Sequence, residues 1–563
     1  MTTLSENIFN SYLTTPEKPA ITLIHNQNLE QTITYRDLFQ GASAFMKALE
    51  EAGILPGEVV ILILNHGENL IYSFFGAILH GAIPSIMPFL TEKLEPDHYR
   101  QSLTSLFEIT KPAAIITYPE FIDEVHITAQ NTPSIRAIIS TSQIHPCDNF
   151  SMDQIQGLKR CSEDTVLLQH SSGTTGLQKG VALSHQAIFN QIDSYSKSLQ
   201  LNRSKYGQDT IVSWLPLYHD MGLIAGFIMP ILTQTHLVLM SPFDWVRAPY
   251  KLMQYISKFR GSLCWMPNFA YNFCAQKIRP RDLENVDLSS CRAVINCSEP
   301  MSWQSHQMFL ERFEPYGFRD DALATSYAMA ENVFAVTQGG IDTPLTIDFI
   351  ERQSLLSGKT ALVAKCEASS VKMVSVGKPI ENTQVKIVDN HGNTLPERHI
   401  GEIALLSNCM LSGYYRRPDL TEKAFIDGWF LTGDLGYIAN QEVYITGRKK
   451  DLIIVGGKNV YPQDLERLAS EIPSVHPGRV VAFGVFNDEI GTEEVVIIAE
   501  VDTDAEEEKI KIGDEIRRHV TRGSDIALRY VHIVGRNWLI KTSSGKIARS
   551  ANREKYLTEY HLT

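Results

Sequence analysis

From residue 33 the sequence ITYRDLFQGASAFMKALEEA repeats apolar side chains three and four positions apart and stops at Gly53. That spacing predicts an amphipathic helix closed by a residue suited to a left-handed turn. VVILIL at 59–64 is a continuous apolar run of the kind expected of a strand covered on both faces, and Asn69–Leu79 returns to helical spacing. Similar short runs recur at Ala113–Thr117, Ala137–Ser140, Ile211–Trp214, Thr235–Met240 and Ala293–Asn296. The alternation predicts α/β layering with substantial parallel sheet. GLIAGFIMPILTQTHLVLM at 222–240 is the most membrane-like stretch, but Pro230 and TQTH interrupt it short of the ~20 apolar residues a span needs. It is expected to be buried core, with no membrane span.

After about residue 380 the texture changes to short strands broken by turns: TQVKIVD, the NHGN turn, GEIALL, GWFLTGDLGYI and QEVYITG. Beyond Arg448 a fresh α/β unit begins, with VVAFGVF, VVIIAEV and YVHIV as strands and Gln463–Ile472 and Ile512–Val520 as helices. The expected fold is therefore α/β: a large N-terminal domain over 1–447, made of α/β sheet layers with a β-rich subdomain at about 380–447. A small mobile C-terminal α+β domain over 448–563 follows, with the boundary near Lys450. At 563 residues the chain exceeds one compact core, and 44% hydrophobic with 20% charged residues is the composition of a folded protein.

A net charge of −13 argues against coating DNA or RNA, which requires a positive footprint, whereas a small phosphorylated ligand needs only a local positive site. The eight cysteines are scattered from Cys147 to Cys409 without CxxC pairs or histidines at metal spacing. MTTLSENIF lacks the basic and apolar blocks of a signal peptide. A cytoplasmic chain with reduced thiols is expected.

The segment HSSGTTGLQKG at 170–180 cannot pack a core, yet it lies between the apolar runs Val166–Leu168 and Val181–Leu183. Its glycines let backbone N–H groups approach an anion, its hydroxyls add donors and Lys179 adds charge, so it suits phosphate. It is not a Walker A loop, because Lys179 precedes Gly180 and the chain continues as VALSH. SGKT at 357–360 is excluded as well, since Gln353 stands in the place of the upstream glycine.

LLQHSSGTTGLQKGVALSH resembles the phosphate loop of the adenylate-forming superfamily. Further segments match in order: SYAMAE (326–331), LTGDLG (431–436), GRKKDLIIVGGKNVYPQDLE (447–466) and KTSSGKIAR (541–549). The resemblance implies ATP and Mg²⁺ as cofactors and a reaction in which a carboxylate attacks the α-phosphorus, giving acyl-AMP and pyrophosphate. By resemblance Ser172, Gly173, Thr174, Thr175, Gly176 and Lys179 hold the departing phosphates. Glu331 and Thr174 ligate Mg²⁺, Tyr327 stacks on adenine, and Asp434 and Arg448 bind the ribose. Lys546 is the catalytic cation, and Lys450 is the hinge about which the C-terminal domain turns. Two departures stand out: Gln178 replaces the usual loop proline and Ala328 the usual glycine after the aromatic, which puts nucleotide affinity in doubt.

WLPLYHDMGLIAG (214–226), PNFAYNFC (267–274) and NCSEP (296–300) resemble fatty acyl-AMP ligases. His219 is then expected beside the substrate carboxylate, and Ser298 and Glu299 against adenine. FDWV (243–246) imitates the amino-acid-binding string of peptide-synthetase domains but lies well beyond WLPLYHDMG. A tunnel lined by 221–232 and 264–274 suits a medium- or long-chain fatty acid. The segment from Gln338 to Val374 resembles the insertion of fatty acyl-AMP ligases, which is thought to restrain the C-terminal domain. The acceptor implied is the phosphopantetheine arm of an acyl carrier protein, with Arg549, Arg553 and Lys555 as a candidate basic patch for it. An acyl-CoA synthetase on the same scaffold, or a non-catalytic acyl-nucleotide binder, are the alternatives.

Overall fold

The computed structural model describes the chain except residues 1–2, 26–28, 90–95, 147–151, 172–178, 203–206, 367–369, 456–457, 477, 488–491, 525, 527, 543–544 and 561–563. The first predicted helix runs Tyr35–Glu51. Thr34 and Asp37 exchange side-chain to backbone hydrogen bonds at 2.9 and 3.2 Å, a capping box that satisfies two orphan amides. Gly53 ends it with φ +68°. Its buried face lies against the helix Glu68–His80, and the approach is close because Gly41 and Gly76 lack side chains. A Cβ at Gly41 would stand 2.6 Å from the Tyr72 ring, and one at Gly76 would stand 2.6 Å from the Ala42 carbonyl.

Among the described residues, a seven-stranded sheet forms the centre of the large lobe. Its order is Leu323–Ser326, Ala293–Cys297, Leu263–Met266, Thr210–Ser213, His236–Met240, Pro19–Ile24 and Glu30–Thr34. All neighbours are parallel except the last pair, a hairpin. A second parallel sheet holds Ile83–Ile86, Val59–Ile63, Ala114–Thr117 and Ala137–Ser140. Parallel strands place their carboxyl ends on one edge, where ligands bind in open α/β sheets. The loops leaving Ser213, Cys297 and Ser326 carry His219, Ser298 and Tyr327, so this edge gathers the candidate residues.

The membrane-like stretch is core. Met221–Ile228 forms a π-helix, Met229–Leu232 a short α-helix with Pro230 in its first turn, and His236–Met240 a central strand. Residues 221–232 are all buried in the protein interior. Among the described residues, no helix is long and apolar enough to cross a membrane.

The β-rich portion is a sheet of Thr383–Val388, Gly401–Ser407, Trp429–Ala439, Glu442–Arg448 and the short Phe425–Ile426. Against it lies the segment that resembles an insertion, a hairpin of Ile347–Glu351 and Ser370–Val374. Asp348 anchors the hairpin by accepting from Arg398 at 2.9 and 3.2 Å and from the Tyr437 hydroxyl at 2.9 Å. Ile350, Leu355 and Ala361 share a cluster with Tyr437, Tyr444 and Tyr461, and Arg352 donates to the Gly523 carbonyl. Gly358 of the SGKT string, with φ +65°, caps the helix Arg352–Ser357.

The smaller C-terminal region pairs Val480–Asn487 with Thr492–Glu500 and adds Tyr530–Val534 in parallel. Strand alternation sends Val495, Ile497 and Ala499 to the helices Pro462–Ser470 and Glu506–Ser524, and Val496 and Ile498 to the helix Arg549–Tyr560. The basic patch expected for a carrier is not presented as such. Arg549 is drawn into ion pairs with Asp451 and Glu466, Arg553 donates to the Gly484 carbonyl, and Lys555 lies over the Trp538 ring.

One buried charge ties the large lobe together. Arg292, 1% exposed, bonds Asp209 at 3.1 and 3.2 Å, the Leu199 carbonyl at 3.0 Å and Asp342 at 3.3 Å. Arg292→Met should destabilise this lobe by about 3–5 kcal/mol, because Asp209 is left charged without its partner. Denaturant titration checks this, and an unmoved midpoint would remove Arg292 from the account.

Candidate active site

Asp434 and Arg448 face each other in the ladder between Trp429–Ala439 and Glu442–Arg448. The two oxygens of Asp434 are divided between partners: Oδ1 lies 3.2 Å from Arg448 Nε, and Oδ2 accepts from the Tyr327 hydroxyl at 2.6 Å. The Asp434 charge holds the Arg448 guanidinium above its ordinary value. Burial, then the same carboxylate, pushes the Tyr327 phenol well up, so it remains a donor. Glu402 braces this corner by accepting from the Gly433 amide at 3.0 Å and from Lys449 at 2.8 Å.

Glu331 stands at the tip of a tight loop between Ala328 and Ala335. The Phe334 amide donates to the Asn332 carbonyl at 2.6 Å around Val333, whose φ is +61°. A fully buried β-branched residue in that conformation is strained by about 1–3 kcal/mol. Glu331 Oε1 accepts from the Tyr414 hydroxyl at 2.9 Å, and Lys179 Nζ lies 4.7 Å above the Tyr414 ring. Burial raises the Glu331 carboxyl despite these donors. The Tyr414 segment also holds the neighbouring backbone. Leu411 donates to the Glu331 carbonyl, Ser412 to Ala182 and Tyr415 to Gly180. Ser172, Gly173, Thr174, Thr175 and Gly176 lie outside the described residues.

The third group joins the C-terminal region to the His219 loop of the large lobe. Lys546 Nζ is 3.5 Å from His219 Nε2, and His219 Nδ1 is 2.5 Å from Asp220 Oδ1. With Nδ1–H donated to Asp220, the Nε2 lone pair faces the ammonium, so Asp220 fixes the tautomer. Burial alone would push the Asp220 carboxyl up. The His219 ring, with the Lys546 ammonium beyond it, holds it below the ordinary value instead.

Ser298 has φ +70° and its hydroxyl points to Cys297 Sγ at 3.6 Å. Glu299 accepts from the Phe269 amide at 2.9 Å, in the first turn of Asn268–Lys277, where a carboxylate is favoured. Trp214, at the start of the His219 loop, stacks on Trp245 at 3.6 Å, with Phe273 5.3 Å from Trp245. In FDWV it is Trp245 that is buried, within the helix Pro242–Arg247.

Tyr414 and Asp220 were not singled out from the sequence. Asp220 follows His219 directly, and a histidine beside a carboxylate is a readable signal. Tyr414 has none, because only the pairing of Gly413–Tyr414 with Lys179–Ser184 brings it to Glu331.

The family model described as AMP-binding enzyme matches residues 9–415. The chain belongs to this family and is an adenylate-forming ligase. It is similar to a 4-hydroxyphenylalkanoate adenylyltransferase of Mycobacterium marinum, at 30% identity over 95% of this chain and 87% of that protein. A long-chain-fatty-acid–AMP ligase of Mycobacterium tuberculosis is 29% identical over 94% of this chain and 92% of its own. A solved structure from work on fatty acyl-adenylate ligases of E. coli and L. pneumophila superimposes with a TM-score of 0.90 at 25% identity, covering 100% of this chain and 98% of that one.

Because the folded Asp220 value is depressed, its contribution to stability is present above the unfolded value of ~3.9 and is lost as pH falls through the folded value. The melting-temperature difference between wild type and Asp220→Asn should therefore be constant near neutrality and shrink at acid pH. A difference independent of pH would contradict this placement.

Proposed function

We propose that this enzyme joins a medium- or long-chain fatty acid to AMP and then passes the acyl group to the phosphopantetheine thiol of an acyl carrier protein. The observation that carries the reading is the 3.5 Å approach of Lys546 to His219. It brings a cation from the C-terminal region to the edge that carries Tyr327, whose hydroxyl in turn meets Asp434 beside Arg448.

In the first step a carboxylate oxygen bonds to the α-phosphorus and the bond to the bridging oxygen of the β-phosphate breaks, releasing pyrophosphate. Both partners are anions, so the barrier is dominated by bringing like charges together in line. The role given to Lys546, beside His219, is to neutralise both. His219, its tautomer fixed by Asp220, orients the carboxylate. Asp434 and Arg448 receive the ribose hydroxyls, the Tyr327 ring offers a face to adenine, and Ser298 and Glu299 form the opposite turn. Lys179 and the segment 172–176 take the leaving phosphates.

Glu331 fits a Mg²⁺ ligand, with Thr174 as its companion. Among the described residues no cluster of three or more His, Cys, Asp or Glu side chains is placed to hold a metal. A single carboxylate suits an ion whose other ligands are phosphate oxygens and water. Burial that raises Glu331 is a cost a bound cation offsets. Bound there, Mg²⁺ supplies charge neutralisation on the phosphates.

The cluster of aromatic rings beside His219 gives the direction of the acyl tail. Tyr327 and Ser298 follow one outer pair of strands, whereas Trp214 lies on the His219 loop itself and Trp245 follows the strand beyond it. A carboxylate at His219 with AMP towards Asp434 sends its tail to the aromatic side chains Trp214, Trp245, Phe269 and Phe273. Each methylene buried there contributes ~0.8 kcal/mol. Residues 221–232 lie behind this wall as packed core.

We further propose that 1–447 and 448–563 turn as two bodies about Lys450, withdrawing Lys546 after adenylation. The 338–374 segment supports a carrier over free coenzyme A. Its contacts with Tyr461 and Gly523 have to be broken by such a rotation, and a macromolecular acceptor has the binding energy to do so.

Intact mass analysis of products from dodecanoate, a longer fatty acid and a 4-hydroxyphenylalkanoate, each with CoA or holo-carrier protein, tests this. Acyl-AMP and acyl-carrier are expected from the fatty acids. Acyl-CoA formed as fast as acyl-AMP would defeat the reading. Arg352→Ala should raise acyl-CoA formation several-fold, whereas an unchanged rate would remove the 338–374 segment from acceptor choice.

A further inference from the structure

Arg549 and Asn552 follow Lys546 by three and six residues, and neither faces solvent as a free side chain. Asn552 is fully buried. Its amide donates to the carbonyls of Ile540 and Ala548, both at 2.8 Å, and its oxygen accepts from the Ile540 amide at 2.8 Å. One side chain therefore closes both ends of the stretch 540–548. Within it Lys541 bridges Ile547, Thr542 donates to the Lys546 carbonyl at 2.8 Å, and the Lys546 amide donates to Thr542 Oγ1 at 3.2 Å.

Arg549 fastens the same stretch to the hinge. Its Nη2 reaches both Glu466 oxygens at 2.8 and 3.0 Å, its Nη1 reaches Asp451 Oδ2 at 2.5 Å, and its Nε donates to the Ala482 carbonyl at 2.9 Å. Asp451 directly follows Lys450. Glu466 is itself fixed by accepting from the Ala482 amide at 2.9 Å. A planar fork that meets two carboxylates and a carbonyl at once is a role lysine cannot fill.

We propose that Arg549 and Asn552 are positioning residues that hold the Lys546 turn rigidly to Asp451, so that hinge orientation sets whether Lys546 reaches His219. The ammonium sits at the end of a long flexible side chain on a turn with Gly545 at φ +83°. The Arg549 ion pairs add a direct tie between this turn and Asp451 of the hinge segment. With it, the hinge segment and the cation move as one body. This rests on the role given to Lys546 above.

The test is fatty-acid-dependent pyrophosphate exchange by the full-length enzyme, with thermal unfolding measured in parallel. Arg549→Gln and Asn552→Ala should each lower the exchange kcat by about 10- to 100-fold, as misplacement by an ångström does, with KM for ATP within about twofold. Each should be silent, within about twofold, when added to Lys546→Ala, because a residue acting only through Lys546 has nothing left to act on. A further loss in the Lys546→Ala background, a joint rise in KM for ATP, or exchange at the wild-type rate would overturn the proposal. If Arg549→Gln fails to fold, Asp451→Asn cuts only the hinge end of the brace and carries the same expectations. Wild type without fatty-acid-dependent exchange would instead defeat the functional reading itself.

Discussion

The site is arranged around the approach of one cation, Lys546, to His219. Lys546 comes from the last turn before the final helix and ends 3.5 Å from a histidine more than three hundred positions earlier. The attraction is strong only where water is excluded, and Asp220 is buried beneath His219. Asp220 keeps the imidazole lone pair towards the ammonium, so the cation is met by an acceptor and not by a competing donor. The cation thus comes from the C-terminal region and meets an acceptor carried by the large lobe.

The fixed part owes its precision to the sheet. Parallel strands deliver His219, Ser298 and Tyr327 to one edge, while the ladder of the β-rich portion sets Asp434 opposite Arg448. Between them the strained turn at Val333 and the Tyr414 segment hold Glu331 in a position its burial disfavours. Backbone strain and a buried carboxylate coincide at these positions, as they do at functional sites in general.

Much of this was legible along the chain. Hydrophobic runs marked the strands because parallel sheet is covered on both faces, and Thr34 with Asp37 spelled a helix start. The ordered motifs announced the residues that converge. What was not legible depends on long-range pairing. Tyr414 reaches Glu331 only through a two-residue strand. Arg549 reads as a surface cation until Asp451 and Glu466 are folded around it. The segment 221–232 reads as a tunnel wall, but its neighbours on every side make it core. Local pattern reports burial, and it does not report which buried surface faces a ligand.

The central claim is that Lys546 acts in joining the acid to the nucleotide. Rapid-quench single-turnover formation of dodecanoyl-AMP tests it most directly, comparing wild type with Lys546→Met, which keeps bulk and removes charge. The first chemical step should be slower by about a hundredfold or more, with ATP still bound. An unchanged rate in that step would contradict it.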